Sequence, residues 1–265
     1  GYIDHVLGLL PFEPKTHQDL GGPPCSYVGH PLSEKIGWMQ TLPTHSLEKQ
    51  LQLGSGKPVI VVLPGSRSSE VRRLMPVFAE TLNRLNAVGA DFEAIIPAVP
   101  HVRHLIDAAL KKSGARAFVV EGHEAKYQAF RLATCALAAS GTVSLELALA
   151  GTPMVVGYRV DPLATGVRYL ITAHSVVLPN LILANNAVPE FMQEDCTPEN
   201  LSTALQPLLF REEAYDAQRA ALRQVQARIR MPEQTEPSDA AAAIVYHYAT
   251  NGVPRPQPES PAGNI

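Results

Sequence analysis

The sequence predicts an α/β fold built on a parallel sheet, and three observations carry that expectation. Residues 58–63 (PVIVVL) form a continuous β-branched run, the mark of a strand buried on both faces. Short apolar runs of this kind alternate with amphipathic helical stretches from about residue 57 to about 235. Two of the strand-to-helix junctions, Pro64-Gly65-Ser66-Arg67 and Ser140-Gly141-Thr142, are turns of small residues. Regular alternation of strand and helix favours a parallel sheet with right-handed crossovers.

The elements follow in order. Residues 5–10 read as a short strand, 11–20 as a short helix or loop, and Gly21-Gly22-Pro23-Pro24 breaks the chain. Residues 26–31 read as a second strand ending at a turn beside His30. Residues 33–57 are polar and show little periodicity, so they are expected to be a linker. After the strand at 58–63, Val71, Leu74, Met75, Phe78, Leu82 and Leu85 mark one apolar helix face. Strands are expected at 92–97, 117–120, 133–139 and 154–158, with helices at 102–112, 125–132 and 143–150 between them. Asp161-Pro162 opens a further helix, and residues 176–180 read as extended. Thr197-Pro198 is a helix start, with Thr as N-cap and Pro in the first turn. Residues 211–230 form a charged amphipathic helix and 239–248 a last one. The Pro-rich residues 251–265 are expected to be disordered.

Length and composition bound the function. The chain has 265 residues, 46% hydrophobic and 18% charged, as suits a packed core. A net charge of −3 gives no footprint for nucleic acid. The three cysteines, Cys25, Cys135 and Cys196, lie far apart, which argues against a disulfide framework or zinc site and fits a reducing compartment. No apolar run reaches the ~18 residues of a membrane span, and no basic segment with an apolar core marks a signal peptide. His101 and His104 sit three apart on an expected helix without an evident third ligand, so neither metal nor cofactor is expected.

The chemistry points to the two turns. A small-residue turn between a strand and a helix presents free backbone N–H groups and the positive end of the helix dipole, a site for phosphate. Ser140, Gly141 and Thr142 supply such a turn, and Glu146 lies one helical turn beyond Thr142 on the same face, a rise of about 5.4 Å. That suits phosphate at the turn and ribose hydroxyls at Glu146, although similar turns elsewhere bind nothing. Gly65, Ser66 and Arg67 form the second turn, where an arginine can hold a diphosphate; alternatively Arg67 faces solvent and pairs with Glu70. Tyr158 and Arg159 end a strand at the same sheet edge, as a base-binding position or an ordinary strand end. Asn180 follows an apolar run, either contacting substrate or capping backbone.

Taken together these motifs resemble the lipid-A-disaccharide synthase family. The matching segments are LGLLPFEP (through residue 14), YVGHPL (27–32), LPGSR with Glu70, ASGTVSLELALAGTPMVVGYR (139–159), LPNLI (178–182) and VPEFMQEDCTPENL (188–201). The likeness runs to about residue 250 and departs at Ser33-Glu34 and in the Pro-rich tail. The resemblance implies the GT-B architecture, two Rossmann-like domains across a cleft. Residues 1–45 would then end an acceptor-side domain, 57–235 form the UDP-sugar-binding domain and 236–250 a crossover helix, with the catalytic base upstream of Gly1. It implies an inverting transfer of 2,3-diacylglucosamine from UDP-2,3-diacylglucosamine to 2,3-diacylglucosamine 1-phosphate. It assigns Arg67 to the leaving group and Gly65, Ser66, Ser140, Gly141, Thr142, Glu146, Tyr158, Arg159 and Asn180 to substrate, with no metal. It further implies a cytoplasmic protein, peripheral on the inner membrane of a Gram-negative bacterium, and a homodimer touching through 160–195. Another GT-B enzyme acting on a UDP-sugar, or a non-catalytic nucleotide-binding fragment, is the alternative.

Overall fold

A computed structural model describes residues 2–54, 56–159, 174–231 and 235–251. The chain divides into two compact units, Gly1–Glu34 with Ile229–Ile265, and Lys35–Arg228.

In the first unit, β1 (Val6–Gly8) and β2 (Cys25–Tyr27) pair in parallel, joined by α1 (Glu13–Asp19). Glu13 carries the turn into α1, since its Oε2 accepts the Leu10 N–H at 2.7 Å. The Tyr27 hydroxyl donates to the Ile229 carbonyl at 2.7 Å, and burial pushes its pKa up to about 12. Gly29 has φ +84°, and a Cβ there would stand 2.7 Å from Met231 Cγ and 2.9 Å from Pro237 Cγ. Only glycine satisfies both the left-handed backbone and that close approach.

The second unit opens with α2 (Ile36–Thr41) and α3 (His45–Leu51). This corrects the expectation of a linker over 33–57. Ile36, Met39 and Leu47 are buried, and the Gln128 amide donates to the Pro43 carbonyl at 2.8 Å. The unit therefore begins near residue 35, about twenty residues before the expected start at 57.

Then come β3 (Val59–Leu63), α4 (Ser68–Ala87), β4 (Glu93–Ala98), α5 (Pro100–Ser113), β5 (Phe118–Glu121), α6 (His123–Leu132), β6 (Cys135–Ala139), α7 (Thr142–Ala150) and β7 (Met154–Tyr158). After the undescribed 160–173 follow α8 (Leu178–Leu183), β8 (Glu190–Met192), α9 (Pro198–Leu209) and α10 (Glu213–Ile229). The helix expected from Asp161 lies outside the described residues, as do 252–265. Residues 176–180, expected to be extended, instead lead into α8, and β8 was not expected.

The six strands lie in the order β5-β4-β3-β6-β7-β8, all neighbours parallel. Every residue of β3 and of β6 is buried, which accounts for their unbroken apolar character. The α4 face Val71, Leu74, Met75, Phe78, Leu82 and Leu85 is wholly buried, in one cluster with Ile60, Val62 and residues of α5 and α9. On the other side α6 and α7 pack together with α2 and α8. The last helix, α11 (Pro237–Asn251), belongs to the first unit, where the Tyr248 hydroxyl lies 2.9 Å from His5 Nδ1.

The strand order positions the site. From β3 the chain winds outward through β4 and β5, then α6 carries it back to β6 on the other side of β3. The connections leaving the carboxyl ends of β3 and β6 therefore diverge, opening a crevice between them, which is where open parallel sheets hold ligands.

Candidate functional site

The turn after β3 is shaped by one glycine and one carboxylate. Gly65 has φ +108°, and a Cβ there would meet Glu70 Oε2 at 2.5 Å and Glu70 Cβ at 2.7 Å. The missing side chain lets Glu70 fold back over the turn. Its Oε2 accepts the N–H of Ser66 at 3.1 Å and of Arg67 at 3.2 Å. Its Oε1 accepts Arg67 Nη1 at 2.7 Å. The two N–H groups that the sequence offers to a phosphate are thus held by Glu70. Arg67 does pair with Glu70, yet its side chain is 79% exposed and stands at the cleft.

The turn after β6 is built differently. Gly141 precedes α7 with φ +144°, a conformation that disfavours any side chain, and no atom would crowd a Cβ there. Ser144 closes the first helical turn by donating from Oγ to the Gly141 carbonyl at 2.7 Å. Ser140 donates its hydroxyl to the Val176 carbonyl at 2.9 Å, so that side chain is a tether and leaves the backbone to face the cleft. The Thr142 and Val143 N–H groups that open α7 have no preceding helical carbonyl to bond, and the helix dipole adds positive potential there.

Both turns line one cleft of about 430 Å³, together with Pro97, Val99, Lys126 and Glu146. Glu146 is tightly held. Its Oε2 accepts Lys126 Nζ at 2.6 Å and its Oε1 accepts the Tyr127 hydroxyl at 2.7 Å. Burial, and secondly the bond to Glu146, raise the Tyr127 phenol far above its usual range. The Lys126 ammonium lies 5.2 Å from the Tyr127 ring centre and 5.6 Å from that of Phe130, within cation–π range. Lys126 is a cleft-lining residue that the sequence reading did not single out. On an amphipathic helix a cleft-facing lysine has the same one-dimensional signature as a solvent-facing one. The only hint was the choice of Tyr127 beside it.

Three residues singled out in the sequence do not line this cleft. Tyr158 ends β7. Arg159 donates from Nη2 to the Cys196 carbonyl at 2.6 Å, pinning the chain after β7 to the start of α9. Asn180 is fully buried and forms two 2.9 Å bonds with Val188, donating to its carbonyl and accepting its N–H, which is backbone capping. His30 accepts the Leu32 N–H at Nδ1. Among the described residues no group of three or more His, Cys, Asp or Glu side chains is placed to hold a metal ion.

Solved structures show the same fold at low sequence identity. UDP-GlcNAc 2-epimerase from Neisseria meningitidis, determined with UDP-GlcNAc bound, matches with a TM-score of 0.61 at 14% identity over 94% of this chain and 62% of its own. A glycosyltransferase from Rickettsia africae matches with a TM-score of 0.59 at 12% identity over 94% of this chain and 64% of its own. The fold is thus α/β of the GT-B type. Curated relatives are much closer in sequence. Lipid-A-disaccharide synthase from Rhodopseudomonas palustris is 48% identical over 245 residues, 92% of this chain and 61% of its own length. That from Rhodospirillum centenum is 38% identical over 253 residues, 95% of this chain and 62% of its own. The chain therefore spans about three fifths of the curated relatives it matches. The family model described as lipid-A-disaccharide synthetase covers residues 1–245, and the chain belongs to that family.

Proposed function

We propose that this chain carries the donor-binding half of an inverting glycosyltransferase. The reaction moves 2,3-diacylglucosamine from UDP-2,3-diacylglucosamine onto 2,3-diacylglucosamine 1-phosphate, giving the β-1,6-linked disaccharide 1-phosphate and UDP. The observation that carries this reading is the convergence of two glycine turns, Arg67 and Glu146 on one crevice at the switch point of the sheet, in a chain of this family.

Each group has a task in that reaction. The acceptor hydroxyl attacks the anomeric carbon, its proton passes to a base, and the bond from that carbon to the diphosphate breaks. Charge then grows on the departing UDP. Arg67 and the N–H groups at Gly141 and Thr142 stabilise that charge, as preorganised donors do in a partly enclosed site. Glu146 accepts from ribose hydroxyls. Gly65 and Ser66 shape the turn that presents Arg67, and Ser140 fixes the other. Tyr158 and Arg159 sit at the strand end beside the nucleotide without touching the cleft, and Asn180 supports the neighbouring backbone. No described residue is assigned as the base.

The acylated substrates favour work at the cytoplasmic face of the inner membrane. No described helix is long and apolar enough to cross a membrane, so the association we propose is peripheral. Self-association through residues 160–195 belongs to the same proposal.

The test is transferase activity in the intact protein. Arg67→Ala and Glu146→Ala should each lower kcat/KM at least tenfold, about 1.4 kcal/mol of transition-state stabilisation. Wild-type rates in both variants would remove the site assignment. Equal UDP release with a non-acylated acceptor would redirect the substrate reading toward another UDP-sugar enzyme.

A further inference from the structure

Two cations and two carboxylates line the cleft, and each cation is bonded to one carboxylate. Arg67 meets Glu70 at 2.7 Å and Lys126 meets Glu146 at 2.6 Å. Their formal charges cancel, so a polyanion gains a net attraction from side chains here only by drawing a cation away from its carboxylate. The two pairs differ in how easily they part. Glu70 also holds two backbone N–H groups, so its position is fixed by the turn whether or not Arg67 stays. Glu146 has a second holder of another kind, the Tyr127 hydroxyl on Oε1 at 2.7 Å, while Lys126 bonds Oε2. If the ammonium leaves, Tyr127 keeps the carboxylate in place and Oε2 becomes available. The Lys126 side chain is 29% exposed and Glu146 13%, so the lysine is the more accessible member of the pair. A lysine is a compact charge on a flexible stem with three rotatable donors, suited to changing partners.

We infer that Lys126 is a transferable counterion. In this structure it holds Glu146, and when a nucleoside diphosphate enters, its ammonium passes to the phosphates and uncovers Glu146 Oε2 for a ribose hydroxyl. Recognition of phosphate and of ribose is thereby coupled through one side chain. A nucleoside without phosphate offers the ammonium nothing to move to, and meets a carboxylate whose outer oxygen is already bonded. A diphosphate gains a cation and a ribose acceptor together. The inference rests on the nucleotide reading of the cleft given above, and it assigns a role to a residue which that reading does not use.

The experiment compares UDP with uridine on the intact protein, by calorimetry for UDP and ligand-observed NMR titration for uridine. Lys126→Met should weaken UDP at least tenfold and leave uridine unchanged or tighter, because Oε2 is then uncovered from the start. Lys126→Arg should restore most of the UDP affinity. A loss of the same factor for UDP and uridine would assign Lys126 a purely structural role and overturn the inference, as would UDP affinity unchanged by Lys126→Met. If the wild-type protein binds UDP with neither measurable heat nor competition at millimolar concentration, the nucleotide reading itself fails and this coupling with it.

Discussion

The turn after β3 and the turn after β6 each join a fully buried strand to a helix through a glycine at positive φ, yet they differ in what meets their N–H groups. At Ser66 and Arg67 those groups point at Glu70, a carboxylate of the same chain. At Gly141 and Thr142 the side chains, Ser140 and Ser144, turn to backbone carbonyls instead. One turn therefore carries its own anion and offers a guanidinium, and the other offers the backbone of a helix start. A small-residue turn read from sequence thus has two outcomes. Which one it takes is set by a residue several positions on, here a glutamate four after Ser66 against a serine four after Ser140.

The sharpest test of that contrast is glycine replacement. Gly65→Ala places a Cβ 2.5 Å from Glu70 Oε2 as well as forcing a left-handed alanine. It should lower unfolding free energy by about 3 kcal/mol, the sum of backbone strain and displaced packing. Gly141→Ala carries only the backbone penalty, about 1–2 kcal/mol. Denaturant unfolding of both variants checks this, and equal losses would erase the distinction. Next in size, Glu70→Ala leaves the Ser66 and Arg67 N–H groups without their acceptor and should cost about 1–2 kcal/mol. Ser140→Ala should cost about 1 kcal/mol or less, since it removes one neutral bond to the Val176 carbonyl.

The smallest expected effect is a pH dependence near the second turn. The Tyr127 phenol is raised in the folded protein, first by burial and then by Glu146. Its unfolded value is about 10. Above that pH the unfolded chain gives up the proton more readily, so the unfolded state binds fewer protons and stability falls as pH rises. The contribution is complete below about pH 10 and is lost above it. Tyr127→Phe should flatten the alkaline limb of a stability profile, on top of a pH-independent loss from the missing bond to Glu146. A limb unchanged in the variant would show that other groups produce it.

Much of the fold was legible because its central strands, β3 and β6, are buried on both faces. Residues 58–63 read as a strand through their β-branched run, and the α4 face, Val71 to Leu85, is written at helical spacing over about four turns. The segments that misled are short. α2 and α3 have six and seven residues, too few turns for a period to emerge, and they hold their shape through Ile36, Met39 and Leu47 packed on the sheet unit. The start of α8 reads as extended because a short apolar run such as Val176-Val177-Leu178 does not tell a strand from a buried helical turn. β8 has three residues and is a strand only because β7 supplies its partner. In the site, both turns and Glu146 were visible, since glycine and an isolated carboxylate stand out against apolar neighbours. Lys126 was not, and neither was the occupation of Ser66 and Arg67 by Glu70. Those depend on which side chains the crossover through α6 and the folded-back turn bring into hydrogen-bond reach, a proximity the linear sequence does not encode.

Asn180 shows a different use of an amide. Its side chain carries one carbonyl and one N–H donor in the same plane, the functional groups of a peptide unit, and it meets Val188 through both. The buried Val188 backbone is thus paired as if a neighbouring strand ran beside it, although the partner is a helical residue eight positions earlier. The side chain acts as a one-residue surrogate strand. This closes the loop ahead of β8 without lengthening the sheet, and it makes the position depend on a donor and an acceptor together. Aspartate, of nearly the same shape, would set a carboxylate oxygen against the Val188 carbonyl and undo half of the pairing.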